Sequence, residues 1–266
     1  MKRGVTTLAL ILMIFTLSVP SVKAQYFKFN QGTDLATANL EVEAILKYFG
    51  SMVGGGLYHT ADMHNIGGLD VGLTGIVSKV PDEFQSLPVF IDEDKLGLAF
   101  LHGSFGLPGN LEIIGRFFYF PIGSDANSNL QRQDSRGGVT IIGGGLKYGL
   151  LQMPGIPKIM VMGTYHALFV PSEFDFGTVG TLSFNAVVSH SLAILTAYVG
   201  GGIDITTLKV DKDVPIPGFA GKRFTENTTH ATIGANISVF PFVHVNGAVN
   251  LGKFNSVDLG VFLSIR

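Results

Sequence analysis

The sequence predicts an all-β fold, an antiparallel transmembrane β-barrel of about 10 strands, with roughly 12 as the alternative, and an N-terminal helix plugging or capping the lumen. Three observations predict it. From Thr228 to Ile265 the chain switches between apolar and polar or small side chains at alternate residues. The chain opens on an export signal. Charged residues are only 14% of the chain and mean hydropathy is +0.39, whereas a soluble domain carries roughly 25% charge.

The alternation is clearest over 228–265. Ala231, Ile233, Ala235, Ile237 and Val239 interleave with His230, Thr232, Gly234, Asn236 and Ser238. Val243, Val245, Val249 and Leu251 interleave with His244, Asn246, Ala248 and Asn250. Val257, Leu259, Val261, Leu263 and Ile265 interleave with Asp258, Gly260, Phe262 and Ser264. A period of two places the two sets on opposite faces of a strand.

The export signal occupies 1–24. Lys2 and Arg3 precede the apolar run Leu8–Val19, and Val22-Lys23-Ala24 supplies the small residues of a cleavage site before Gln25. The run is shorter than the roughly 20 residues of a membrane helix. With no cysteine in the chain there is no lipid-modified N-terminus, disulfide, thiolate metal site or cysteine nucleophile. The mildly acidic balance argues against a nucleic-acid partner.

An N-terminal segment, 25–65, precedes the barrel, 66–266. Within it Leu35, Asn39, Val42, Leu46 and Phe49 share one face of a helix over 35–49, capped by Asp34 or Thr37. Gly54-Gly55-Gly56 follows. This helix is expected in or across the periplasmic mouth of the barrel.

Strands are expected at 67–79, 96–103, 111–120, 137–151, 158–170, 173–188, 191–207, 228–240, 242–251 and 255–265. Prolines fall at or near the connections, as a ladder needing every N–H requires. With the C-terminus in the periplasm, the long polar connections 80–95, 121–136 and 208–227 share one side. The short ones, 104–110, 152–157 and 189–190, share the other. Long extracellular loops and short periplasmic turns are the pattern of outer-membrane barrels.

The same parity sorts the charges. Asp70, Glu112, Arg116, Lys147, Tyr198, Asp204, His230 and His244 all fall on the lumen side. A cation on the lipid face at mid-depth costs about 2–4 kcal/mol. Arginine is therefore expected to be tolerated better at Thr196 or Asn246 than at Leu195 or Val261. His230 and His244 are candidates to meet across neighbouring strands.

Two constellations invite chemistry, and each has a plainer reading. His59, Asp62 and His64 could gather around a divalent ion, but a polar turn is far commoner, and no metal or other cofactor is expected. Ser189-His190-Ser191 is the nearest local match to a serine–histidine pair. Ser183, His166 and Asn185 form another candidate grouping. Neither supplies an evident nucleophile with an oriented base, and the expectation is of no enzyme. The glycine clusters at 54–56, 143–145 and 200–202 fit no phosphate loop.

Several segments resemble an uncharacterised family of secreted proteins, predicted outer-membrane β-barrels common in bacteria of the Bacteroidetes and Chlorobi type. The resemblance lies in Gly54-Gly55-Gly56-Leu57-Tyr58-His59-Thr60-Ala61, Gly67-Gly68-Leu69-Asp70-Val71 and Val80-Pro81-Asp82-Glu83. It is strongest in Gly143-Gly144-Gly145-Leu146-Lys147-Tyr148 with Pro154-Gly155-Ile156-Pro157. Such barrels look distantly like long-chain fatty-acid transporters, which also carry an N-terminal helical hatch. The expected function is a small passive, porin-like channel or transporter in the cell outer membrane. Its expected partners are membrane lipid and a small apolar or amphipathic solute, and the chain is expected to act as a monomer. A structural or surface-binding barrel acting through its outer loops is the alternative, ahead of a lipid-modifying enzyme.

Overall fold

The computed structural model describes residues 35–87, 90, 94–122, 137–170, 177–212 and 218–265. The export signal over 1–24 and the connection 123–136 lie outside these. Among these residues one helix, α1 (Leu35–Gly54), precedes ten strands. They are β1 (Leu69–Lys79), β2 (Lys95–Leu107), β3 (Leu111–Ile122), β4 (Gly137–Leu151) and β5 (Lys158–Phe169), then β6 (Gly177–Leu192), β7 (Leu195–Val210), β8 (Arg223–Phe240), β9 (Val243–Gly252) and β10 (Ser256–Ile265). Every strand pairs antiparallel with its neighbours in the chain, and β10 closes on β1 from Leu69↔Ile265 to Ser78↔Ser256. Closure leaves no sheet edge unpaired.

The period of two becomes an outside and an inside. On β1, Leu69, Val71, Leu73 and Val77 are exposed while Asp70, Thr74, Ile76 and Ser78 are buried. The same split runs round the barrel, so its outer wall is a belt of exposed Leu, Ile, Val, Phe and Tyr. Water does not tolerate so extensive an apolar surface, whereas lipid requires one. No described helix is long and apolar enough to cross a membrane; the crossing is made by strands. The chain is an outer-membrane β-barrel. Tyr148, Phe240 and Phe242 lie near one rim and Tyr119 and Phe169 near the other, where tryptophan often stands.

The connections 80–94, 123–136, 170–176, 211–222 and 253–255 leave one end of the barrel, and 108–110, 152–157, 193–194 and 241–242 leave the other. By the length rule the first end is extracellular and the second periplasmic.

The β6–β7 hairpin is shifted from its expected place. It turns at Ala193-Ile194, with Ala193 at φ 52°, not at 189–190. Ser189-His190-Ser191 belongs to β6, where Ser189 faces the lumen and Ser191 meets Thr196 at 2.9 Å near the rim. Polar residues near a rim imitate a turn because both reach water.

The helix also differs, in length and in place. It runs on to Gly54, and its two late glycines face the wall. A Cβ on Gly50 would stand 2.6 Å from Thr206 Oγ1, and one on Gly54 2.4 Å from an Asp204 carboxylate oxygen. Lys47 lies 3.5 Å from Glu226, which pairs with Thr206 and so lies on the extracellular side of Asp204. The helix thus enters from the extracellular end and stops at mid-barrel. It does not lie across the periplasmic mouth as expected; the segment 55–68 fills that half.

The plug has a different lining at each level. Val42, Leu46, Phe49 and Val53, spaced along one helix face, join Ile76, Phe100, Ile141, Val179 and Leu208 in the upper lumen. Above them Ala44 meets Val80, Phe84, Phe90 and Phe254, with Tyr48 edge-on to both Phe90 and Phe254. Lower down, Leu57, Tyr58 and Ala61 pack on Ile114, Met160, Val187 and Tyr198. Apolar inward positions meet the plug at each of these levels and pack the interior there.

Candidate functional site: the seam between plug and wall

The inward polar residues form a seam against the plug. At the foot of α1, Arg116 of β3 is 3% exposed. Its Nη1 donates to the carbonyls of Val53 (2.9 Å) and Gly55 (3.2 Å), and its guanidinium lies 3.9 Å over the Phe100 ring. A helix leaves its last carbonyls without intrahelical partners and its C-terminus partially negative. A cation at this point answers both.

At mid-height Asp204 and His230 meet, Oδ2 to Nδ1 at 3.0 Å, and the other ring nitrogen of His230 lies 2.9 Å from Asn185 Oδ1. Beside them Tyr198 donates to Asn246 Oδ1 at 2.8 Å. The Asn246 and Asn250 amides donate to the two oxygens of Asp258 at 3.2 and 2.8 Å, and Thr232 donates to Asn250 Oδ1 at 2.6 Å.

The periplasmic half holds the densest charge. His59 Nε2 lies 3.0 Å from Asp70 Oδ2, and the His59 ring stacks on Phe262 at 4.2 Å. His64 places Nδ1 2.8 Å from Glu112 and Nε2 3.0 Å from Ser264 Oγ. Lys147 is 3.4 Å from the other Glu112 oxygen. Lys158 binds Asp62, the Ser189 hydroxyl oxygen accepts from the Ala61 N–H at 3.0 Å, and the Gln152 amide donates to the Ala61 carbonyl at 2.9 Å.

The structure therefore brings Asp70, Glu112 and Lys147 together with the plug's two histidines. It sets Arg116 on the helix end, Tyr198 in the amide network and Asp204 against His230. His244 meets Ser238 at 3.0 Å near the periplasmic rim. It does not meet His230, which pairs with Gly252 at the far end of the β8–β9 ladder. His59, Asp62 and His64 do not gather at one point, because Asp62 turns to Lys158. Ser183, His166 and Asn185 do not assemble either; Asn185 is taken by His230.

Gln152, Asn250, Asp258 and Ser264 carry much of the seam without being singled out as candidates in the sequence, and Asn185 and Asn246 join it in roles other than those expected of them. Their signal was parity, since each strand member among them occupies an inward position. Outside the membrane-crossing strands, burial on α1 pushes the Glu41 carboxyl above its ordinary range.

Among curated proteins none matches the chain in sequence. The translocator domain of the autotransporter NalP from Neisseria meningitidis is similar in structure, at 14% identity over 87% of this chain and 96% of that one, with a TM-score of 0.40. A de novo designed transmembrane β-barrel matches at 11% identity over 76% and 99%, with a TM-score of 0.33. Ail, the attachment invasion locus protein of Yersinia pestis, matches at 10% identity over 76% and 100%, with a TM-score of 0.31. The barrel reading rests on the closed strand order and apolar outer belt, and not on these likenesses. A family profile matches residues 90–265, and the chain belongs to the family of unknown function DUF6588.

Proposed function

We propose that this barrel is a gated outer-membrane passage for a small apolar or amphipathic solute, closed here by its own N-terminal plug. The observation that carries the reading is the character of the seam. The lower plug is held through His59–Asp70, His64–Glu112–Lys147 and Asp62–Lys158 as well as by packing. Buried polar and ionic contacts rarely stabilise more than apolar contacts of similar volume. They suit a joint that water can re-solvate when it opens. Withdrawal of the plug would leave an upper lumen lined by Ile76, Phe100, Ile141 and Leu208, a surface suited to an alkyl chain. The seam is assigned no catalytic step.

One observation favours a second reading, a closed barrel that acts through its outer loops. Phe84, Phe90 and Phe254 close around α1 at Ala44 and Tyr48, toward the extracellular end. The chain has no cysteine, so one introduced pair separates the two readings. Thr60 Oγ1 and Ser189 Oγ stand 3.3 Å apart across the seam. In proteoliposomes, T60C/S189C should pass alkyl-chain solutes when reduced and block them when oxidised. No flux in either state, with wild type equally tight, would remove the passage reading in favour of the loop reading.

A further inference from the structure

The direction of α1 carries a consequence independent of any passage. Three contacts give its path. Lys47 meets Glu226, Gly50 faces Thr206 and Thr228, and Gly54 faces Asp204. Along β7, Asp204 and Thr206 are successive inward positions leading to the extracellular strand end at Val210. Past mid-barrel the order continues downward. Gly55 and Gly56 reach Asn250 and Thr74, Thr60 reaches Ser189, and His64 reaches Ser264, one residue from the periplasmic end of β10. A two-residue link at Gly67-Gly68 then opens β1, with the Gly67 N–H donating to the Gly106 carbonyl at 3.0 Å. Residues 35–68 therefore traverse the lumen from outside to inside.

Lengths place the start of the helix beyond the wall. From Gly50 back to Leu40 the helix rises about 15 Å, and to Leu35 about 22 Å. From Thr206 to the end of β7 the strand adds about 13 Å, and about 10 Å along the barrel axis at the usual tilt. The first turns of α1 thus overshoot the strand ends. Leu40 is 51% exposed and Ala36 and Asn39 are exposed with it, while Ala38 and Val42 remain buried.

The geometry points to a display function: the barrel holds the N-terminal end of α1, and the point from which any preceding chain departs, on the extracellular surface. The plug's lower end is tied to β1 at the periplasmic rim. The displayed end can therefore leave the surface only by being drawn inward through the barrel.

The missing cysteine makes this testable on the full-length protein in cells. Leu40→Cys places a thiol on the exposed end of α1. Met153→Cys places one in the 152–157 turn, at a side chain that is 55% exposed. Folding of both is checked by heat-modifiable mobility. A polyethylene-glycol maleimide too large to cross the outer membrane should label Leu40→Cys on intact cells. It should label Met153→Cys only after the outer membrane is permeabilised. Protection of Leu40→Cys on intact cells, the reverse pattern, or equal reaction at both positions would overturn the proposal. Solute flux plays no part in the readout, so its outcome is separate from that of the passage reading.

Discussion

Replacing Arg116 with methionine should loosen α1 without opening the barrel wall. The guanidinium makes two hydrogen bonds to the helix end, to the Val53 and Gly55 carbonyls. Bonds from a charged donor are worth about 1.5–3 kcal/mol each. The gross loss is therefore roughly 3–6 kcal/mol. Part of it returns, because Nε and Nη2 are buried without a partner and removing the charge ends that cost. Methionine also keeps an apolar stem against Phe100. A net loss of about 2–3 kcal/mol corresponds to a roughly 30- to 150-fold shift in the local opening equilibrium. Amide hydrogen exchange on folded protein in nanodiscs reads it. Exchange over the C-terminal half of α1 and over 55–60 should accelerate by that factor, while the β6–β7 and β7–β8 ladders keep their protection. Arg116→Lys, which keeps the charge but not the fork, should lie between. Unchanged protection of α1, or a loss spread evenly over the strands, would refute the reasoning that Arg116 holds the plug to the wall.

Other perturbations report on different parts of the molecule. Gly54→Val puts a side chain into the Asp204 carboxylate and should cost about 1–3 kcal/mol of overpacking, seen as a lower temperature of heat modification; an unshifted temperature would remove the close-approach argument. Burial raises the Glu41 carboxyl in the folded state, so the folded protein binds the extra proton and stability falls as pH rises from the ordinary carboxylate range through the raised value. Glu41→Gln should therefore protect α1 at neutral pH, and that advantage should vanish below the ordinary range; a pH-independent effect in hydrogen exchange would contradict it. Val261→Arg, outward and at mid-strand between Leu73 and Val245, should lose about 2–4 kcal/mol of folded stability, while Thr196→Arg, near the periplasmic rim, should lose less. Asn246→Arg should also fail, since Asn246 is packed between Tyr198 and Asp258; equal yields of folded protein at all three positions would overturn the face assignment.

Alternation made the wall legible. The expected and observed bounds coincide for 137–151 and differ by one residue for the last two strands, and inward parity placed Asp70, Glu112, Arg116, Lys147 and Asp204 on the lumen side. Ser189-His190-Ser191 misled because rim polarity and turn polarity look alike in one dimension. Gly50 and Gly54 hid the end of α1, because propensity penalises glycine in a helix and says nothing of a wall pressed against it. The pairing of His59 with Asp70 and His64 with Glu112 was invisible for another reason. It depends on the height at which a threaded segment stops inside a barrel, and no local pattern encodes that height. The helix's direction was hidden likewise, since an amphipathic stripe is the same read from either mouth.

The central claim is that the segment from Val42 to His64 occupies the lumen of the chain's own barrel, and the T60C/S189C pair tests it most directly. In protein folded in its own outer membrane, the two thiols should form an intrachain disulfide under mild oxidation. Peptide mass spectrometry would read the product. T60C/T206C, which places the second thiol at the level of Gly50, should remain reduced. Disulfide formation in the first pair alone is the predicted result. Free thiols in the first pair of a heat-modifiable, folded barrel, or equal crosslinking in both, would contradict the account.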